Sequence, residues 1–351
     1  MADSRTEEDL CPESGSPTDF VPPSIVPTLL HSGASYTHFS PVPPSLLSST
    51  TASTATIDGP PCILGIDEAG RGPVLGPMVY GCFYLPTTLS APLLKTEHAF
   101  NDSKVLTPTF RASLMRTLCT PESSLHDSCG WAVTLLSASS ISAGMLKPSV
   151  SYNLNQQAMD ATIALIEGVY ERGVDVREIY VDTVGPPVTY EKVLAKRFPR
   201  AKVRVEKKAD SLFEVVSAAS VVAKVTRDVA LEDLYKTYVA WGKGGKRVGN
   251  EEEGSEEEAS WGSGYPSDAR CTAWMKRNMD PVFGWGAECR FSWGTAKDLL
   301  EFKDRAVKVD WPVDEDDQDT FRVTDYFGKQ DEDGVDELGS WFGRPVGSEV
   351  Y

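Results

Sequence analysis

Two adjacent carboxylates, Asp67 and Glu68, end the apolar run Ile63-Leu64-Gly65-Ile66 and lead into Ala69-Gly70-Arg71-Gly72-Pro73. A short apolar run bounded by glycine and proline reads as a buried strand. Carboxylates delivered to the end of such a strand are costly unless a cation neutralises them. Hard oxygen ligands suit Mg²⁺ or Mn²⁺. The glycines flanking Arg71 free the turn of side chains, so its backbone can approach a ligand. A solvated acidic turn is the ordinary explanation for Asp-Glu alone, but Asp-Glu-Ala-Gly-Arg-Gly-Pro as a unit is far more specific. Asp182 closes Glu178-Ile179-Tyr180-Val181 in the same way, and Asp210 precedes a long helical pattern. Strand-end and helix-cap aspartates are usually structural. Carboxylates from separate elements can nevertheless converge at a sheet edge, and two-metal phosphodiester hydrolysis needs such a set around ions about 3.5–4 Å apart. One tension follows from the pleat: Asp67 and Glu68 should point to opposite faces unless the strand ends or bulges beside them.

The elements that must position these groups are readable from periodicity. Strands are expected at 62–67, 78–85 and 131–137, before any long helix. Helical spacing runs over 154–171 with Gly173 as a stop, then a strand at 178–182, a helix at 188–198 and a period-two strand at 202–206. Asp210-Ser211 can cap a helix whose Phe213, Val216, Ala219, Val222, Ala223 and Val225 form a long buried face. Strands first, then alternating helices and strands, predict an α/β fold with a mixed sheet flanked by helices. Residues 1–59 are Ser-, Thr- and Pro-rich without a period and read as a disordered leader, with order beginning near Pro60. Residues 242–260 read as a Gly- and Glu-rich solvent insertion, and 306–351 as an acidic tail.

A net charge of −17 argues at first against a nucleic-acid partner. Its distribution reverses that impression. The leader carries −6, Glu251 to Glu258 another −6 and the tail −9, leaving about +4 on the candidate domain. Seven cysteines without a Cys-x-x-Cys pair fit reduced thiols in a cytosolic or nuclear compartment. Four histidines lie away from the acidic motifs, which disfavours His-based metal or nucleophilic chemistry. No apolar run reaches membrane-spanning length, and no secretory signal is expected.

The acidic motif begins an ordered series: Gly76-Pro77-Met78-Val79-Tyr80, Asp102-Ser103-Lys104, Tyr152-Asn153-Leu154-Asn155 and Val181-Asp182-Thr183-Val184-Gly185. It continues through Lys208-Ala209-Asp210, Ser217-Ala218-Ala219-Ser220-Val221-Val222-Ala223-Lys224, Gly262-Ser263-Gly264-Tyr265-Pro266 and Phe291-Ser292-Trp293. Over roughly residues 60–305 the chain resembles the type-2 ribonucleases H, the ribonuclease HII family, and most closely the catalytic A subunits of the eukaryotic enzymes. That resemblance implies a ribonuclease-H-like core with a helical C-terminal extension. It implies Asp67, Glu68, Asp182 and Asp210 as catalytic metal ligands for two Mg²⁺ or Mn²⁺ ions. The expected reaction is hydrolysis of the RNA strand of RNA–DNA hybrids, and cleavage 5′ of single ribonucleotides in duplex DNA, during ribonucleotide and replication-primer removal in the nucleus.

Further roles follow from the same resemblance. The backbone around Gly70, Arg71 and Gly72 would read the ribose 2′-hydroxyl, and Tyr265 would stack at the RNA-to-DNA junction. Lys104, Asn153, Lys224 and Arg227 match positions suited to backbone phosphates. Eight basic residues crowd Lys192 to Lys208, where a solvated surface competes with salt-dependent attraction of duplex phosphates. Tyr326 and Phe327 interrupt the acidic tail and resemble a docking box; two non-catalytic accessory subunits are the expected partners, with any sliding-clamp contact indirect. Competing readings are a non-catalytic hybrid-binding module, which would require loss of a carboxylate, and another ribonuclease-H-like DNA nuclease. Neither is expected to keep all four acids together with Gly-Arg-Gly and Gly-Tyr-Pro. Nucleotide binding at the glycine turn fails for want of Gly-Lys-Ser/Thr.

Overall fold

The computed structural model describes residues 20–47, 59–100, 106–147, 152–244 and 261–301, with two paired dipeptide strands, Val309–Asp310 and Arg344–Pro345. In chain order the main elements are α1 (Pro27–His31), β1 (Tyr36–Phe39), β2 (Cys62–Ala69), β3 (Met78–Pro86), α2 (Pro108–Cys119), α3 (Ser124–Ser128), β4 (Gly130–Leu136) and α4 (Ala138–Met145). They continue with α5 (Leu154–Glu171), β5 (Val176–Asp182), α6 (Pro187–Arg197), β6 (Lys202–Glu206), α7 (Glu214–Gly244), α8 (Ala269–Asn278) and α9 (Gly294–Glu301).

One sheet has the order β1-β4-β3-β2-β5-β6. β2 is antiparallel to β3 on one side and parallel to β5 on the other. The change of direction at β2 brings the C-terminal ends of β2 and β5 side by side. Register pairs Ile66 with Val181, so Asp67 and Asp182 are the next residues along both strands. The bulge in this pairing lies at Cys62/Ile63, far from the acids, and β2 stays regular to Ala69.

α7 covers one face of the sheet, burying Val215, Val216, Ala219 and Val222 against Ile63, Phe83 and Val133. Its approach is close: a Cβ at Gly65 would fall 2.4 Å from the Val215 carbonyl, and one at Gly81 2.4 Å from that of Ala219. α5 and α6 close the other face over Leu64, Ile66, Tyr80 and Val181. A third cluster gathers Trp261, Trp274 and Trp285 around Val74 and Leu75, joining the C-terminal extension to the segment after β2.

Three expectations require correction. The leader is not disordered throughout. β1 pairs with β4 from Tyr36↔Leu135 to Phe39↔Ala132, Leu30 and Leu46 are buried, and Ser24 Oγ meets Thr226 Oγ1 at 2.9 Å. The order of this segment comes from the edge of β4, a partner that a Ser/Thr/Pro-rich sequence does not reveal. Asp210 does not cap α7, which opens four residues later at Glu214; it lies in a 3₁₀ turn, Ala209–Ser211. α7 also runs to Gly244, beyond the expected start of the insertion.

Candidate active site

The carboxylates sit where β2, β5 and the 209–211 turn meet. Asp67 continues the α7-facing series of Ile63 and Gly65 and is 5 % exposed. Its Oδ1 accepts the Glu68 backbone N–H at 2.7 Å. Ser220, fully buried on α7, falls short of a geometric hydrogen bond yet lies close enough to favour the charged form of Asp67. Burial outweighs that help. Desolvation, then repulsion from Glu68 and Asp182, holds Asp67 well above the usual carboxylate range.

Glu68 takes the opposite face, across from Tyr80 in register. Burial pushes it up to about 7; Arg71, 3.9 Å away, opposes the rise and Asp182 adds to it. The tension between neighbouring side chains resolves because β2 ends one residue later. Past Ala69 no sheet separates the faces, and both acids feel Asp182. Asp182 Oδ1 accepts the Ala209 N–H at 2.7 Å, which anchors the turn and sets buried Asp210 beside β5. Among the described residues, no three His, Cys, Asp or Glu side chains form a preassembled ion cage. The donor set nonetheless fits a divalent cation: oxygen-only, from three elements, buried, and mutually repelling without a counter-charge.

The Gly70-Arg71-Gly72 turn is held from beneath by a residue that sequence reading misses. Arg290 is fully buried. Its Nη2 donates to the Gly70 carbonyl at 2.6 Å, Nη1 to that of Arg71 at 3.0 Å and Nε to that of Gly76 at 3.0 Å. The Trp293 indole lies over the guanidinium and donates to the Gly72 carbonyl at 3.0 Å. In a trans peptide the carbonyl and the following N–H point in opposite directions. With the first two carbonyls turned onto Arg290, the N–H groups of Arg71 and Gly72 face away from it. Burial lowers the Arg290 pKa to about 9, so it stays charged at neutral pH. Only its place before Phe291-Ser292-Trp293 hints at this role.

Tyr265 joins the turn directly. A Cβ at Gly72 would lie 3.2 Å from its ring, so a larger residue there would push the ring aside by a few tenths of an ångström, and the ring stays 38 % exposed. Gly264 supports it by accepting the Val74 and Leu75 N–H groups. Arg227, expected as a phosphate ligand, is instead 7 % exposed. It donates to the Ser263 carbonyl and to Asp228, packs against Gly70 and faces the Tyr265 ring at 5.8 Å. It braces the two loops together. Lys224, half-buried, is three residues earlier on α7. Asn153 is exposed and caps α5: its Oδ1 accepts the Asn155 and Gln156 N–H groups and completes a capping box. Asn155, part of the Tyr-Asn-Leu-Asn motif but given no role by sequence, accepts a hydrogen bond from Arg71. Lys104, Tyr326 and Phe327 lie outside the described residues.

Comparison with known proteins identifies the family and the fold. A family model described as Ribonuclease HII matches residues 64–249. A Neurospora crassa protein, named as the A subunit of ribonuclease H2, is 58 % identical over 95 % of this chain and 97 % of its own length. The human protein of that name is 40 % identical over 76 % of this chain and 82 % of its own. Among solved structures, the ribonuclease H2 of Pyrococcus horikoshii superposes with a TM-score of 0.51 at 27 % identity, covering 68 % of this chain and 96 % of that one. A structure titled as the PCNA:RNase HII complex from Archaeoglobus fulgidus gives 0.52 at 23 % identity, over 69 % and 98 %, a likeness of fold.

Two outcomes are expected. Glu68 has a folded-state pKa near 7 against an ordinary 4.5, so its contribution to stability is full below about pH 4.5 and lost as pH rises through 7. In chelator, stability should fall across that window by about 3 kcal/mol from Glu68 alone. Glu68→Gln should flatten the slope in pH-resolved denaturant melts; an unchanged slope would refute the burial argument. Arg290→Gln leaves buried carbonyls short of a donor at about 1–3 kcal/mol each, a loss of roughly 3–5 kcal/mol in all. Tm should drop by roughly 5–15 °C, with faster hydrogen exchange at residues 70–76, and Arg290→Lys should recover only part of either.

Proposed function

The chain belongs to the ribonuclease HII family, and we propose that Asp67, Glu68, Asp182 and Asp210 form its catalytic centre. It is a ribonuclease H, an endoribonuclease acting on RNA–DNA hybrids. The observation that carries the site assignment is the electrostatic one. Asp67, Glu68 and Asp182 act on one another at the shared end of β2 and β5, and burial with these neighbours drives the first two upward; Asp210 follows the Ala209 N–H that Asp182 accepts. Such a set retains its charge when Mg²⁺ or Mn²⁺ is present, and the reading is two ions per site. Ions of this kind, when bound, supply Lewis acidity at the phosphoryl group and a nucleophile from water at neutral pH.

This chain's residues do the remaining work. The carboxylates bind and orient the ions. The outward N–H groups of Arg71 and Gly72 offer donors to the 2′-hydroxyl, the group that distinguishes RNA from DNA. Arg290 and Trp293 keep those donors aimed, and Arg227 keeps Tyr265 at a fixed offset from them. An exposed ring standing on Gly72 suits stacking on the sugar that follows the ribonucleotide. Cleavage 5′ of that ribonucleotide, including single ribonucleotides in duplex DNA, is the reading that joins turn and ring into one recognition unit.

The relatives' names designate A subunits, which supports a place for this chain in a multi-subunit assembly. Two non-catalytic accessory subunits, docked through Tyr326 and Phe327, complete the proposal. Sliding-clamp contact would be indirect, although an archaeal relative is titled as a PCNA complex. Nuclear work in ribonucleotide and primer removal is consistent with this. Among the described residues no helix is long and apolar enough to cross a membrane.

The deciding experiment incubates a DNA duplex carrying one ribonucleotide with the assembled enzyme, with and without Mg²⁺. Asp67→Asn and Asp182→Asn should each lower cleavage by orders of magnitude without unfolding the chain. Near-parental rates in Mg²⁺ would reject the assignment. Tyr265→Ala should impair the single-ribonucleotide substrate more than a long hybrid, whose neighbouring ribonucleotides offer other registers, and Tyr265→Phe should keep the stacking. Equal losses on both substrates would reduce Tyr265 to a packing residue.

A further inference from the structure

Between Lys192 and Lys208 the sequence places eight basic residues and one acid, in a chain of net charge −17. The structure sorts these eight into two groups. The arginines are spoken for: Arg197 pairs with Glu167, Arg200 approaches Asp175 at 4.0 Å, and Arg204 pairs with Glu206 and lies 5.9 Å from the Phe213 ring. Lys192, Lys196, Lys202, Lys207 and Lys208 are exposed and have no ion pair among the described residues. Five unneutralised ammonium groups within seventeen positions repel one another, a cost that folding alone gives no reason to accept.

Their placement is directional. β6 is the free edge of the sheet, and its last residue, Glu206, stands opposite Asp182. Lys207 and Lys208 follow that pair, and Ala209 then donates to Asp182. Lys202 lies at the far end of β6, about 13 Å back along the strand. Lys192 and Lys196, four apart on α6, share one face of that helix. The positive charge thus starts beside the carboxylates and extends away from them along β6 and α6.

We infer that this rim is a phosphate-contact surface, which holds the nucleic-acid backbone beyond the cleaved nucleotide and contributes affinity without reading sequence. The inference rests on the reading above that the substrate is an RNA–DNA duplex. The surface explains how an acidic chain holds a polyanion: arginines fix the local structure, and lysines stay free for exchange with counterions. Lysines on an edge strand also discourage edge-to-edge pairing, so the test must separate the two roles.

The test uses full-length protein with Lys192→Gln, Lys196→Gln and Lys202→Gln combined, all remote from the carboxylates. Binding to a labelled RNA–DNA hybrid is measured in chelator across a salt series. The slope of log affinity against log salt should become shallower by roughly 2–3, close to 0.9 per lost contact. KM for a long duplex should rise at least about tenfold at low salt, with kcat and Tm unchanged. Restoring charge as Lys→Arg at the three sites should restore the slope. A parental slope with intact Tm overturns the proposal, as does loss only of monomer solubility, which would leave edge protection as the lysines' role. Higher affinity in the variant would also overturn it, since the rim would then be held by the chain's own acidic segments. If the parent itself neither binds nor cleaves hybrid, the functional reading fails instead, so the two failures are distinguishable.

Discussion

Burying like charges beside one another is the constraint on which the rest of this structure depends. Asp67 is almost fully buried and Glu68 nearly so, and Asp182 raises the cost of ionising either. Such a cluster persists only where the surroundings fix it. The regular register of β2 with β3 through Ala69 prevents Asp67 from turning outward. The Ala209 N–H holds Asp182, and α7 seals the Asp67 side because Gly65 and Gly81 let its backbone approach. Each feature costs stability or packing freedom locally. In the proposed assignment, together they make a site that is unfavourable when empty of cations and favourable when they bind, which is the differential that binding requires.

A second dependence runs from the C-terminal extension back to the turn. The tryptophan cluster around Val74 and Leu75 would be an ordinary satellite core if it ended there. It also carries Arg290 and Trp293 beneath Gly70, Arg71 and Gly72, where four hydrogen bonds reach backbone carbonyls. The extension is therefore part of the site's geometry. Arg227 extends this coupling to α7, since it touches Gly70, Ser263 and the Tyr265 ring. Sheet, long helix and extension meet at one eight-residue segment, Gly70 to Pro77.

Much of this is legible in the sequence, in a way that follows the range of the interactions. Helix 154–171 and strand 202–206 match the structure because their patterns are local. Asp67 and Glu68 stand out by their strand-and-turn motif, whereas Asp182 and Asp210 read as ordinary strand-end and helix-cap residues until the family resemblance singles them out. The leader's strand does not stand out: four residues of Tyr-Thr-His-Phe carry no period, and pairing with β4 supplies the order. Arg290 escapes notice for a related reason. A lone arginine reads as solvated unless the fold is known, and its partners are carbonyls, which leave no trace in sequence. Spacing puts Arg227 near the site but in a solvent-facing role, because it shows the face shared with Lys224 and not its depth.

The two cations divide the labour along chemical lines. A guanidinium presents five donors in a rigid plane and loses less on desolvation than an ammonium, so it can satisfy several carbonyls at once in the interior. Arg290 does this beneath the turn, Arg227 joins one carbonyl to the Asp228 carboxylate, and Arg197 and Arg204 hold acids at the surface. Lysine, a compact and strongly hydrated charge on a flexible stem, suits contacts that form and dissolve with salt. An enzyme of this class must release its duplex after each cut, so fixed recognition and exchangeable attraction serve different steps. On the proposed roles, a buried arginine frame around the 70–72 turn, with exposed lysines along the outer edge, meets both demands within one sheet.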